Sequence, residues 1–175
     1  MLVIAQSLAV SSNIRLHGAA AGLRRLSYAE AGSGIGTKLY LAKNYFNLDE
    51  MGYEINEEYL AKARELGVHA EQCDLRTETP PWAKFNIVYV ARPFKDDEYE
   101  ADWERSVMDS MADGAVYMAA YAAVKPYGWA CYYRAPFRGV WVKRTASQTG
   151  QYSQMIQRQT TGSDPLVPEP SGRSR

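Results

Sequence analysis

Three glycines at alternate positions interrupt the stretch Y-A-E-A-G-S-G-I-G-T-K, residues 28–38, between a short β-like run and a helical one. A strand-to-helix turn of this composition brings bare backbone close to a ligand. The dinucleotide fingerprint needs G-x-G-x-x-G and the phosphate loop needs G-x-x-x-x-G-K-[ST]; Gly32, Gly34 and Gly36 follow neither spacing. By itself such a turn can equally be a tight connection that binds nothing. Two acids downstream tilt the reading: Glu54 closes the run M-G-Y-E, and Asp74 follows Cys73 at the end of another short run. A carboxylate at a strand end can accept hydrogen bonds from both hydroxyls of a ribose, and a second can accept from an adenine amino group. Three strand ends carrying glycines and two acids describe a ribonucleoside site more than a phosphate site.

The elements that would position these residues alternate. A helix is expected over Ile14–Leu26, a strand at Ser27–Glu30, a helix from Thr37 to about Lys43, and a strand at Met51–Ile55. In N-E-E-Y-L-A-K-A-R-E-L-G, Asn56 can cap a helix, Glu57 and Glu58 suit its first turn, and Gly67 can end it; Tyr59, Leu60, Ala63 and Leu66 form the expected buried stripe. Strands follow at Val68–Cys73 and Asn86–Val90, a helix over Tyr99–Met111, and a strand near Ala115–Tyr121. The chain then reads G-W-A-C-Y-Y-R and G-V-W-V-K-R, an antiparallel hairpin. Alternating strands and helices with a terminal hairpin imply a mostly parallel α/β domain with an antiparallel end. That domain is expected to occupy residues 1–144; residues 145–175 are poor in apolar side chains and are expected to be a flexible tail.

With these elements in place, the sequence resembles the class I, Rossmann-like S-adenosylmethionine-dependent methyltransferases. Glu30-Ala31-Gly32-Ser33-Gly34-Ile35-Gly36-Thr37 matches that family's first motif, an acid followed by G-x-G-x-G. Glu54 and Asp74 match the acids that close its second and third strands, and F-N-I-V-Y-V-A-R-P-F, residues 85–94, matches its fourth-strand motif. The resemblance spans residues 14–144. It implies a three-layer α/β sandwich whose mostly parallel sheet has seven strands, or fewer, and an antiparallel C-terminal hairpin, although little room is left for a helix between the fifth and sixth strands. It also implies S-adenosylmethionine as cofactor and S-adenosylhomocysteine as product. The turn Ala31–Thr37 would lie beside the methionine part, with Glu30 acting through the loop or a water on the amino group. Glu54 would take the ribose hydroxyls, Ile55 would pack on the adenine, and Cys73, Asp74, Leu75 and Ala91 would complete the cofactor pocket.

Methyl transfer from a sulfonium is an in-line displacement that needs alignment rather than a protein nucleophile. No Ser/His/Asp set or metal cluster is expected; His17 and His69 read as ordinary structural or surface residues. The acceptor side falls at Arg92, Pro93 and Phe94. Methyltransferases acting on base amino groups resemble one another there as [D/N/S]-P-P-[Y/F]. Here Pro93 and Phe94 fit, but Ala91 has no acceptor and Arg92 can only donate. Neither Cys73 nor Cys131 follows a proline, which argues against attack on cytosine C5. A protein side chain or small molecule is therefore favoured over a DNA base, with nucleic acid left as a weaker option. Asp96 and Asp97, with Glu98 and Glu100, have two readings: acids that draw in a cationic acceptor, or the cap and first turn of a helix.

The charge balance agrees, with 20 basic residues against 20 acidic ones and no excess for nucleic-acid binding. Eight of the basic residues lie from Lys125 onward. The two cysteines lack metal-ligand or disulfide spacing, and the apolar L-V-I-A-Q-S-L-A-V start has no basic lead and is far short of a bilayer span. A cytoplasmic protein with reduced thiols and no membrane segment is expected. Two other functions compete: a regulatory protein that binds the cofactor without transferring its methyl group, and, less well matched, an NAD-dependent oxidoreductase that shares the ribose role of Glu54. Neither the acceptor nor an oligomeric state is written in these residues.

Overall fold

A computed structural model describes residues 25–120, 129–135 and 138–144. The helix expected over Ile14–Leu26 lies outside them apart from its last two residues, as does the tail expected over residues 145–175. Among the described residues, seven strands form one sheet in the order β3-β2-β1-β4-β5-β7-β6. They are β1 (Ser27–Ala31), β2 (Asp49–Glu54), β3 (Ala70–Gln72), β4 (Ile87–Val90), β5 (Val116–Ala119), β6 (Trp129–Ala135) and β7 (Arg138–Lys143). Pairing is parallel from β3 through β5. β7 enters antiparallel between β5 and β6, which makes it the partner of both. The helices are α1 (Thr37–Phe46), α2 (Glu57–Glu65) and α3 (Asp97–Ser110), with a 3-10 turn at Trp82–Lys84.

Strand periodicity explains the layers. On one face, Ala29, Ala31, Val88, Val90 and Tyr117 pack with Trp82 and with Val107, Met108 and Met111 in and just after α3. On the other, Tyr28, Ile87, Val116 and Met118 pack with Leu39 and Ala42 of α1 and Ala63 of α2. Helices on both faces of a mostly parallel sheet make a Rossmann-like three-layer α/β sandwich. The central β4, Ile-Val-Tyr-Val, is covered on both sides, so an apolar β-branched run without strict alternation suits it.

Local signals set the helix ends. The Asn56 side chain accepts hydrogen bonds from the Glu58 and Tyr59 N–H groups, and Gly67 adopts φ +69° while Val68 N–H returns to the Ala63 carbonyl. The stripe of α2 is narrower than its spacing suggests. Leu60 and Ala63 are buried, but Tyr59 and Leu66 are 45% and 41% exposed. A nine-residue helix beside the short edge strand β3 has little sheet to cover, so its first and last turns overhang. For the same reason β3 is shorter than expected; its backbone bonding nevertheless runs on, with Gly52 N–H donating to the His69 carbonyl and Cys73 N–H to the Glu54 carbonyl. α3 starts two residues earlier than expected because Asp96 caps it, accepting from the Glu98 and Tyr99 N–H groups.

Candidate functional site

β1 ends at Ala31, and the turn that follows is held by its neighbour strand. Gly32 and Ser33 N–H groups both donate to the Tyr53 carbonyl, at 2.9 and 3.1 Å. Gly32, Gly34 and Gly36 take φ of +68°, +56° and +81°, backbone that glycine adopts at little cost. The glycines then part company. A Cβ on Gly34 would meet nothing within 4 Å, whereas one on Gly36 would lie 2.8 Å from Val68 Cγ2 and 3.1 Å from Ala63 Cβ. Gly34 therefore borders open space, and Gly36 lets α1 and α2 pack closely.

Glu54 joins the turn to the next strand. Its Oε2 accepts from Gly34 N–H at 2.8 Å and its Oε1 from Asn56 N–H at 2.9 Å, with the residue 8% exposed. A carboxylate has about four acceptor positions, so backbone donors fix this one and leave two for a ligand. Asp74 is fixed similarly. Its Oδ1 accepts from Arg76 N–H at 2.9 Å, and its own N–H donates to Glu78 Oε1 at 3.0 Å. Cys73 is buried, and burial, helped by the charges of Glu78, Asp74 and Glu71, pushes its thiol up to about 11; it stays protonated and unreactive at neutral pH.

These groups border a cleft of about 320 Å³ beyond the carboxyl ends of β1, β2, β3 and β4. That is the place where open α/β sheets bind ligands, and the volume lies within the usual range for small-molecule sites. Of the positions singled out from sequence, the cleft brings together Gly32, Gly34, Glu54, Ile55, Cys73, Asp74, Leu75, Ala91, Arg92, Pro93 and Phe94. Glu30, Ala31, Ser33, Gly36 and Thr37 lie behind the turn and do not line it; Asp96 caps α3 outside it, and Asp97 is the first residue of that helix. Phe94 reaches the cleft but is only 6% exposed, its ring packed edge-on against Tyr99 and Trp103 at centroid distances of 4.9 and 5.2 Å. It offers a wall rather than a free stacking face. Arg92 takes φ +52°, and its Nε lies 3.8 Å from Oε2 of the buried Glu100.

Tyr53, Tyr59 and Arg76 also line the cleft and were not anticipated. For Tyr59 the only signal was its place in the first turn of the helix that follows Glu54. For Arg76 it was its place two residues after Asp74.

Glu30 is fully buried on the face of β1 covered by α1. Its Oε1 lies 2.7 Å from Lys38 Nζ, while Oε2 has no hydrogen-bond partner among the described residues. Burial pushes its carboxyl up to about 7; Lys38 opposes that rise and Glu54 adds to it. Among the described residues no cluster of His, Cys, Asp and Glu could hold a metal ion, and no helix is long and apolar enough to cross a membrane.

No protein-family model matches the chain, and no curated protein does. Solved structures do. An RNA methyltransferase from Salinibacter ruber, in complex with S-adenosyl-L-homocysteine, matches with a TM-score of 0.52 and 18% identity over 67% of this chain and 78% of its own. The S-adenosylmethionine-dependent methyltransferase SibL in its apo form matches with a TM-score of 0.50 and 15% identity over 70% of this chain, which spans about half (51%) of SibL. DesVI of Streptomyces venezuelae matches at a TM-score of 0.47 and 16% identity over 84% of this chain and 81% of its own. The strand order, the antiparallel β7 and the first two of these likenesses show the fold: it is that of the class I S-adenosylmethionine-dependent methyltransferases.

Proposed function

We propose that this protein is an S-adenosylmethionine-dependent methyltransferase whose acceptor is a protein side chain or small molecule rather than a DNA base. One observation carries the reading: the glycine turn, Glu54 and Asp74 meet around a single cleft at the ends of adjacent strands, each fixed by backbone hydrogen bonds.

The residues fit the cofactor. Gly34 leaves the space a side chain would fill, and Glu54 keeps acceptor positions after its two backbone bonds. Glu54 would hold the ribose, Asp74 and Leu75 the adenine edge, Ile55 the adenine face, and Gly32 and Gly34 the methionine end. α1 has no side-chain cap and no acid in its first turn, so its amino end favours a carboxylate nearby. When bound, S-adenosylmethionine supplies a methyl group activated on a sulfonium sulfur, open to in-line displacement. The protein's own part is alignment and exclusion of water. Rigid strand ends hold the cleft, and Ala91, Pro93 and the packed Phe94 wall its β4 side without a competing nucleophile. Alignment of this kind is worth several kcal/mol of a displacement barrier, up to about 10.

Isothermal calorimetry tests the cofactor: S-adenosylmethionine and S-adenosylhomocysteine are expected to bind, and absence of both at high protein concentration would sink the proposal. A thermal-shift comparison with NAD separates the oxidoreductase alternative. Transfer is tested by following labelled methyl groups into separated protein, nucleic-acid and small-molecule fractions of an extract. A second reading, a cofactor-binding regulatory protein without transfer, is favoured by the β4 end, where Ala91 and Arg92 offer no side-chain acceptor and Phe94 is packed away. Cofactor affinity with no labelled fraction would select it.

A further inference from the structure

The cleft has an unexpected lip. Arg76 belongs to the tight turn after Asp74: its N–H donates to Asp74 Oδ1 at 2.9 Å, and its carbonyl accepts from the Tyr99 hydroxyl at 3.4 Å. Its guanidinium carbon stands over two rings set at 90° to each other, 5.4 Å from the centroid of Phe94 and 5.5 Å from that of Tyr99. Two perpendicular rings make a corner that restrains a planar cation from one side while its N–H donors stay open on the other. Among the described residues no carboxylate pairs with this guanidinium, although it lines the cleft.

The carboxylates nearby are anchored by backbone N–H groups rather than paired with Arg76. Both oxygens of Glu54 accept from backbone N–H groups, Oδ1 of Asp74 does the same, and Asp96 is spent on its helix cap. Glu100, which the sequence left open as a lure for a cationic acceptor, is buried beside Arg92 instead. The cleft is thus lined by the guanidinium-bearing residues Arg76, after β3, and Arg92, after β4.

On the cofactor reading, the part of S-adenosylmethionine nearest Asp74 and Arg76 is the adenine, which bears no negative charge. The only carboxylate of the cofactor would lie at the other end, by the glycine turn. An anion for Arg76 must then come from the other reactant. We infer that Arg76 is a specificity-determining residue that recognises a carboxylate or phosphate on the methyl acceptor, so that the acceptor is an anion rather than an amine cation. This rests on the proposed cofactor placement and reverses the charge preference suggested by the acids of residues 96–100.

The test uses the full chain saturated with S-adenosylhomocysteine, titrated at low salt with benzoate, phenyl phosphate and benzylamine as probes. At least one anion is expected to bind, with benzylamine weaker than either; the tighter anion identifies carboxylate or phosphate as the group. Arg76→Ala and Arg76→Gln, checked for native thermal unfolding, are expected to weaken that anion about tenfold, as loss of a charge-assisted hydrogen bond does, and Arg76→Lys to recover part of it. The inference is overturned if benzylamine binds best, if no probe binds, or if the alanine variant holds the anion as the parent does. It is also overturned if that variant loses affinity for S-adenosylhomocysteine as much as for the anion, since Arg76 would then be serving the adenine. If S-adenosylhomocysteine itself does not bind, the cofactor proposal fails instead, and the same titrations on the unliganded protein still decide whether Arg76 holds an anion.

Discussion

Gly34→Ala and Gly36→Ala separate the two jobs of the glycine turn. Both residues have left-handed backbone, φ +56° and +81°, so an alanine at either costs about 1 kcal/mol for its Cβ. Removing a glycine from the unfolded chain returns about half of that. At Gly34 nothing else follows, because the new Cβ has no neighbour within 4 Å. At Gly36 the Cβ would lie 2.8 Å from Val68 Cγ2 and 3.1 Å from Ala63 Cβ, against the backbone of a packed helix, and overpacking of that kind adds about 1–3 kcal/mol. The expected losses are therefore about 0.5 kcal/mol for Gly34→Ala and about 1.5–3.5 kcal/mol for Gly36→Ala. Urea unfolding reads them directly: at a slope of about 2 kcal/mol/M, the midpoints fall by about 0.3 M and by about 0.8–1.8 M. Calorimetry with S-adenosylhomocysteine should show the opposite ranking, because only the Gly34 methyl protrudes into the cleft. Equal midpoints, or a greater loss of affinity at Gly36 than at Gly34, would refute the division.

Other expectations are shorter. The Glu30 carboxyl, raised from 4.5 to about 7 by burial, favours its proton in the folded state. Its contribution is present in full below the unfolded value and is lost as pH rises through about 7, about 3 kcal/mol in all; Glu30→Gln should flatten that slope in urea midpoints measured across the same range. Asp96→Ala removes the α3 cap and should cost about 1 kcal/mol in thermal unfolding while leaving S-adenosylhomocysteine affinity as it was, since Asp96 does not line the cleft. Lys143→Met should cost about 1–2 kcal/mol and speed amide exchange at the end of α3, because Lys143 Nζ donates to the carbonyls of Met108, Asp109 and Met111.

The β1-α1-β2-α2 core could be read from the chain because local chemistry and periodicity agree there: glycines at the turn, Asn56 as cap, Gly67 as stop. The terminal hairpin was legible for the same reason, in two apolar runs joined by A-P-F-R. Misreadings arose where tertiary geometry decides. Tyr59 fits the spacing of a buried stripe, yet there is too little sheet beneath that turn of α2 to cover it. Gly36 looks like its two companions in sequence, and only the approach of Ala63 and Val68, from a distant helix and the loop after it, gives it a different task. The Glu30–Lys38 pair was hidden because its partners lie on either side of the turn, with no helical or strand period linking them. Arg76 shows the same limit: its rings come from the β4–α3 segment, about twenty residues further on.

The place of β7 has a kinetic consequence. Every described residue bordering the cleft lies between Gly32 and Phe94, so this part of the binding surface precedes much of its scaffold in the chain. Among the described residues β7 is the last strand in sequence but sits between β5 and β6, and its final residue, Lys143, ties down the carboxyl end of α3. During synthesis α3, which carries Tyr99 and the cap that begins it, must wait for β7 to emerge before both of its ends are held. A nascent chain stalled ahead of residue 138 would therefore present the glycine turn and both acids on a sheet whose β5 edge still lacks its antiparallel partner. Such an edge invites pairing with other chains, and the inserted strand acts as the step that closes it.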